Sequence, residues 1–247
     1  MLSKKEAQLN SICEKMEIRL TDRQVEQFLI FYDYLIEKNR VMNLTAITDF
    51  DEVVIKHFAD SLSFVRLCRL GLVKEPDAGT RIIDVGSGAG FPGIPLKILY
   101  PDTEFVLLDS LNKRVKFLNE LIEKCRFENI SACHARAEEL AREPGCRDAF
   151  DYCLSRAVAN LSVLLELCLP FVRPGGMFVS YKGKDIDAEI AAAKRAAALL
   201  GGKLYEDPVR FTLPDTDYGR SFVLAEKIKK TPSGYPRKPG MPGKMPL

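Results

Sequence analysis

The chain has 247 residues, 47% of them hydrophobic, with 36 basic and 34 acidic side chains for a formal net charge of +2. That suffices for one large domain with an appendage and a full core, and it is too nearly neutral for a chain that binds nucleic acid by overall charge. No stretch approaches the ~20 apolar residues of a membrane span, and Met1–Glu6 leads into an amphipathic pattern, so neither an anchor nor a secretory leader is expected. Seven scattered cysteines without a Cys-x-x-Cys pair, beside two histidines, argue for buried reduced thiols in a cytoplasmic protein and against a metal site.

In chain order, Leu9, Ile12, Cys13 and Met16 recur at helical spacing. Thr21-Asp22-Arg23-Gln24 has the form of a capping box, and Val25, Phe28, Leu29, Tyr32, Leu35 and Ile36 continue an apolar stripe behind it. A third helix is predicted from Phe58 to Leu70, stopping at Gly71. From Arg81 the texture changes to alternating strands and helices. Strands are predicted at Arg81–Val85, Glu104–Asp109, Ile130–His134, Phe150–Ser155, Met177–Tyr181, Lys203–Thr212 and Ser221–Lys227. Helices are predicted at Gly93–Tyr100, Lys113–Cys125, Ala137–Arg142, Leu161–Cys168 and Ile186–Leu200.

This alternation predicts an α/β fold with a mostly parallel, doubly wound sheet. The last two strands have only the turn-rich Leu213–Gly219 between them, which predicts a terminal antiparallel pair. Residues 1–79 are thus read as an N-terminal helical cap, 80–230 as the core, and 231–247 as a Pro/Gly-rich tail that is extended and has no core of its own. From Lys227 to the end the charged residues are all basic: Lys227, Lys229, Lys230, Arg237, Lys238 and Lys244. Such a tail can meet phosphate; the plainer alternative is a disordered solubilising end.

The first predicted strand ends in Asp84 and runs into Gly86-Ser87-Gly88-Ala89-Gly90, and the next strand ends in Asp109. A glycine loop followed by an acid at the end of the second strand is the arrangement of a nucleotide-type cofactor site. Three features favour S-adenosylmethionine over a nicotinamide. The loop is the tight G-x-G-x-G form. Asp84 would repel a pyrophosphate yet suit a sulfonium or ammonium. Arg173-Pro174-Gly175-Gly176 places a Pro-Gly-Gly turn before the fifth strand, as is frequent in Rossmann-like methyltransferases. Asp109 fits the ribose hydroxyls, and Ala137-Glu138 lies where such folds hold the adenine. The bland alternatives are a helix cap for Asp109, a solvated first-turn acid for Glu138, and glycines that serve only packing.

The fourth strand ends without an Asn/Asp-Pro-Pro-aromatic motif, there is no Pro-Cys nucleophile, and no His-Asp pair is evident. Guanine N7 carries a free in-plane lone pair, so methylation there needs positioning and no general base. Arg156, at the end of the fourth strand, points toward the crevice as a contact for cofactor, guanine or phosphate, or else makes a surface salt bridge.

Asn43-Leu44-Thr45-Ala46-Ile47, His57 with Asp60-Ser61-Leu62, Asp84 through Pro95, Ser155-Arg156-Ala157-Val158, Tyr181-Lys182-Gly183 and Pro236-Arg237-Lys238-Pro239-Gly240 together resemble the bacterial small-subunit ribosomal RNA guanine-N7 methyltransferases, the family also called glucose-inhibited division protein B. The resemblance spans nearly the whole chain. It implies a Rossmann-like methyltransferase fold that binds S-adenosylmethionine through Gly86, Phe91, Asp109 with Ser110, Ala137, Glu138 and Arg156. Asp84 and Gly88 join that cofactor set from the residues alone. The implied partner is small-subunit ribosomal RNA, the small ribosomal subunit or its precursor; read from the residues alone, its contacts are expected at Arg156, Lys182 (at the end of the fifth strand), Arg220, Arg237 and Lys238. His57 reads more readily as a structural hydrogen-bonder than a catalyst, and Asn43 and Asp60 as helix caps or as pins between cap and sheet. With no coiled coil or long apolar edge, a monomer is expected. The competing readings are a small-molecule methyltransferase of the same fold, a non-catalytic RNA- or ribosome-binding protein, and, more distantly, a nicotinamide oxidoreductase.

Overall fold

The computed structural model describes residues 3–156 and 159–247. Two helices open the cap. In α1 (Lys4–Lys15), Ser3 and Glu6 form a capping box, and in α2 (Asp22–Met42), Thr21 and Gln24 form another; each pair satisfies N–H groups that a helix start leaves open. Asn43 ends α2 in the left-handed region, at φ 50°. The Asn39 side chain then gathers the next loop, accepting from the Leu44 and Thr45 N–H groups and donating to the Thr45 carbonyl.

The third cap helix differs from its prediction. The helical path starts at Phe50, eight residues before the predicted Phe58. It runs as α3 (Phe50–Val53), a π-helical turn (Val54–Ala59), α4 (Asp60–Leu62) and, after a break, α5 (Val65–Arg69). Asp49 caps its start through the Glu52 N–H, a signal that apolar periodicity does not carry.

The remaining strands are β1 (Arg81–Val85), β2 (Glu104–Asp109), β3 (Ile130–His134), β4 (Phe150–Ser155), β5 (Val172–Gly183), β6 (Gly202–Leu204), β7 (Val209–Thr212) and β8 (Gly219–Lys227). The first four agree with prediction to the residue. They form one sheet in the order β3-β2-β1-β4-β5-β8-β6, with β7 also on β8. Pairing is parallel from β3 through β5, while β8 runs antiparallel to β5, β6 and β7. The predicted single strand Lys203–Thr212 is two strands along one edge of β8, interrupted at Glu206-Asp207-Pro208; proline offers no N–H to a ladder.

Helices α6 (Gly93–Leu99), α7 (Asn112–Cys125), α8 (Ala137–Leu140), α9 (Leu161–Cys168) and α10 (Asp187–Leu199) cover the sheet. The cap is not a separate body: Phe28, Phe31, Leu35 and Phe58 share one apolar cluster with Phe91, Ile94, Leu107, Phe117 and Leu118. Because the chain leaves β1 toward β2 on one side and returns to β4 on the other, a crevice opens at the carboxyl ends of β1 and β4.

Candidate active site

The glycine loop sits at that crevice. Gly86, Gly88 and Gly90 all have positive φ, at 79°, 60° and 93°. The N–H groups of Gly86 and Ser87 donate to the Leu108 carbonyl, tying the loop to the end of β2. Asp109 finishes the tie: Oδ2 accepts from the Gly88 N–H at 2.9 Å and Oδ1 from the Leu111 N–H at 2.8 Å. Arg114 approaches Oδ2 at 3.3 Å. Asp109 therefore holds the loop itself. A carboxylate oxygen carries two lone pairs, so Oδ2 is filled by Gly88 and Arg114 while Oδ1 keeps capacity for a ligand hydroxyl.

Asp84 is fully buried, and its Oδ2 accepts from the Gly93 N–H at 3.0 Å. A side chain at Gly93 would place its Cβ 2.3 Å from Leu107 and 2.9 Å from this carboxylate, which is why glycine stands there. Among the described residues Asp84 Oδ1 has no hydrogen-bond partner. Burial pushes the carboxyl up to about 7, against the lowering effects of the Gly93 and Ser87 hydrogen bonds and of Arg156. Such a group is incomplete without a donor or a cation.

Phe91 is 5% exposed. Its ring stacks on His57 at 4.6 Å and lies under the Arg156 guanidinium at 4.8 Å. Phe91 thus anchors the loop to the cap and leaves little ring as a free apolar wall. His57 sits in the π-helical turn, with Nε2 at 2.8 Å from the Thr45 hydroxyl and Nδ1 near the Lys56 carbonyl and Arg156. Burial first and Arg156 second bring its pKa down to about 4, so the ring is neutral and hydrogen-bonded, as a structural role requires.

Toward β5 and β8 the site turns cationic. Asp60, 3% exposed, accepts from Arg156 Nη1 at 3.0 Å and from Arg220 Nε and Nη2 at 2.8 and 3.0 Å. It pins the cap to the end of β4 and the start of β8. The Lys182 ammonium donates to the Ala159 carbonyl at 2.7 Å and to Glu189 at 2.8 Å. Arg156, Asn160, Tyr181, Lys182, Glu189 and Arg220 line a cleft of about 410 Å³. Three expected substrate contacts, Arg156, Lys182 and Arg220, are therefore brought together. Ala157 and Val158 of the same motif lie outside the described residues.

The tail is not the free, extended basic end that its composition predicts. Arg237 does not join the cleft; it makes a bidentate pair with Glu166, which is 0% exposed. Arg147 donates to the carbonyls of Thr231, Pro232 and Tyr235, and Arg142 to those of Ser233 and Pro236, before a last short helix, α11 (Met241–Lys244). Composition counts the tail's own residues and does not see the acids and arginines waiting elsewhere on the core. Lys238 is exposed. Ala137 opens α8, and the adjacent Glu138 gives its Oε1 to the Gly240 N–H at 2.9 Å. Ser110 is exposed, and its carbonyl accepts from His134 at 3.2 Å.

The sequence pattern of the GidB family, rRNA small subunit methyltransferase G, matches residues 24–210. The chain belongs to this family of methyltransferases. Similar proteins include a ribosomal RNA small subunit methyltransferase G of Lachnoclostridium phytofermentans, 52% identical over 92% of this chain and 91% of that one. Another, of Alkaliphilus metalliredigens, is 48% identical over 95% of each. The crystal structure of the YcgJ protein from Bacillus subtilis superposes with a TM-score of 0.53 at 11% identity, covering 70% of this chain and 100% of that one, which speaks to the fold alone. For this family of Rossmann-like folds the donor is S-adenosylmethionine, and the half-partnered Asp84 beside a glycine cradle fits a ligand that carries positive charge.

Proposed function

We propose that this chain transfers the methyl group of S-adenosylmethionine to N7 of a guanine in small-subunit ribosomal RNA. The cationic cleft opening beside the glycine loop, at the carboxyl ends of neighbouring strands, carries the reading. Asp84, Gly86, Gly88, Phe91, Asp109, Ser110, Ala137, Glu138 and Arg156 would hold the cofactor, with Asp84 facing its cationic end and Glu138 its adenine. When bound, the cofactor supplies an electrophilic methyl on a sulfonium.

The chain's own contribution is position and field. Arg156, Lys182 and Arg220 receive the anionic RNA from fixed places, because Asp60 and Glu189 hold them. His57 is neutral with both ring nitrogens engaged, and Glu189 Oε2 accepts from both Lys182 and the Leu161 N–H, so neither is set up as a strong base. That favours a nucleophile with no proton to lose, such as guanine N7. A ribosomal RNA substrate supports reading the enzyme as cytoplasmic, and we propose that it acts as a monomer; among the described residues no helix is long and apolar enough to cross a membrane.

The test is to incubate the chain with methyl-labelled cofactor and unmodified small-subunit RNA, free and assembled, then identify the labelled nucleoside. 7-Methylguanosine at one site is expected. Cofactor binding without label in either RNA form would overturn the assignment in favour of a small-molecule or non-catalytic reading.

A further inference from the structure

The tail reaches the cofactor side of the molecule. Arg237 closes on a carboxylate that no water can reach: Glu166 is 0% exposed on α9, and both its oxygens accept from the Arg237 side chain, at 2.6 to 3.1 Å. The Arg237 backbone N–H also donates to Glu166, at 2.8 Å. A bidentate guanidinium–carboxylate pair fixes orientation as well as distance. Arg237 further donates to the Met245 carbonyl at 2.7 Å, so it holds both ends of the segment between. The turn that this pair fixes contains Gly240, at φ 81°, whose N–H donates to Glu138 Oε1. Glu138 is 7% exposed, in the first turn of α8. Among the described residues no hydrogen bond is made to its other oxygen, Oε2.

We infer that the C-terminal tail is part of the cofactor site, with Arg237 a positioning residue that acts through Gly240 on Glu138. The inference rests on the reading of Glu138 as a cofactor contact. Fixing one oxygen of the carboxylate leaves the other aimed, so rotamer freedom that a ligand would otherwise have to quench is already spent. The basic residues of the tail thereby divide: Arg237 faces inward and serves the cofactor, while Lys238 and Lys244 face outward.

The test is a cycle of variants in the full chain. Arg237→Ala is combined with Glu166→Ala, so that no buried charge is stranded, and the pair is made with and without Glu138→Ala. S-adenosylmethionine affinity is measured by calorimetry, and KM and kcat on small-subunit RNA by methyl transfer. The double variant should raise the cofactor Kd and KM roughly ten-fold, the scale of one charge-assisted hydrogen bond, with kcat at saturating cofactor and the KM for RNA unchanged. Arg237→Lys, which keeps the charge and loses the fork, should fall between. In the Glu138→Ala background the same tail change should add nothing further. An equal further loss there, or a rise in the KM for RNA with cofactor affinity intact, overturns the inference. A Glu138→Ala chain that binds cofactor like the parent removes the assignment on which it stands. A parent chain that binds no S-adenosylmethionine refutes the proposed function itself.

Discussion

Asp84 and Asp60 are both buried aspartates at the mouth of one crevice, in opposite surroundings. Asp84 faces the glycine loop with one oxygen unpartnered and its carboxyl pushed up to about 7. Asp60 faces the cleft with two arginines on its two oxygens. The first is a carboxyl that keeps its proton up to about pH 7 and that a positive neighbour would ionise. The second belongs to a group in which Arg156, Arg220 and Lys182 outnumber Asp60 and Glu189, leaving one excess positive charge held in place. On the proposed reading, the incomplete buried acid is where the cationic cofactor would dock, and the nearly neutralised cluster is where the RNA would be received without cations crowding one another.

The sharpest way to break the contrast is Asp60→Ala. It strands two half-buried guanidiniums, so a loss of about 3–5 kcal/mol in stability is expected, read as a lower midpoint in urea or heat. Asp109→Ala should act on the other side. It releases the Gly88 and Leu111 N–H groups from their acceptor, and cofactor affinity should fall by about 2–3 kcal/mol, or roughly 100-fold, by calorimetry. A loss of RNA affinity with normal cofactor binding would erase the division between the two halves.

The pH dependence separates the halves more finely. The folded chain keeps a proton on Asp84 between its ordinary 3.8 and about 7, where the unfolded chain has shed it. The stability this contributes is full below the unfolded value and is lost as pH rises through 7. His57 has the opposite sign: lowered from 6.5 to about 4, it contributes stability that is lost as pH falls from 6.5 toward 4. Asp84→Asn should flatten the first slope and leave the second. A cationic cofactor favours ionised Asp84, so binding should release protons near pH 6 and weaken below pH 7, and calorimetry in buffers of different ionisation enthalpy checks this. The smallest effect is expected for Arg156→Lys, which keeps the charge but loses the planar stack on Phe91 and the fork, for about 1 kcal/mol in melting stability.

Legibility in the sequence divides along the same line. The loop side was readable because its grammar is local: an apolar strand, an acid, glycines at short spacing, then an acid at the next strand end. Strands β1 to β4 consequently fell where predicted. Arg156 and Lys182 were readable as crevice residues from their places at strand ends, and Arg220 only as a basic residue expected on the substrate surface. Their acids were less so, because Asp60 meets Arg220 across 160 residues of chain and Glu166 meets Arg237 across 71. No periodicity encodes such distances. Glu166 and Glu189 carried no motif at all, and a signal for Glu166 existed only as an acid within the apolar run Leu161–Cys168. The break between β6 and β7 was signalled by Pro208, within a run otherwise suited to a strand.

The π-helical turn at Val54–Ala59 carries a consequence for descent. Such a turn amounts to one extra residue accommodated within a helix, and each residue of helix turns the rest of the chain by about 100°. Because the extra residue is taken up inside the turn, a one-residue deletion here would relax it to an ordinary helix with Asp60 still directed at both arginines, while the wide turn that seats His57 on Phe91 would be lost. A lineage that dropped one of these six positions is therefore expected to keep the Asp60 contacts and to lose the His57–Phe91 stack.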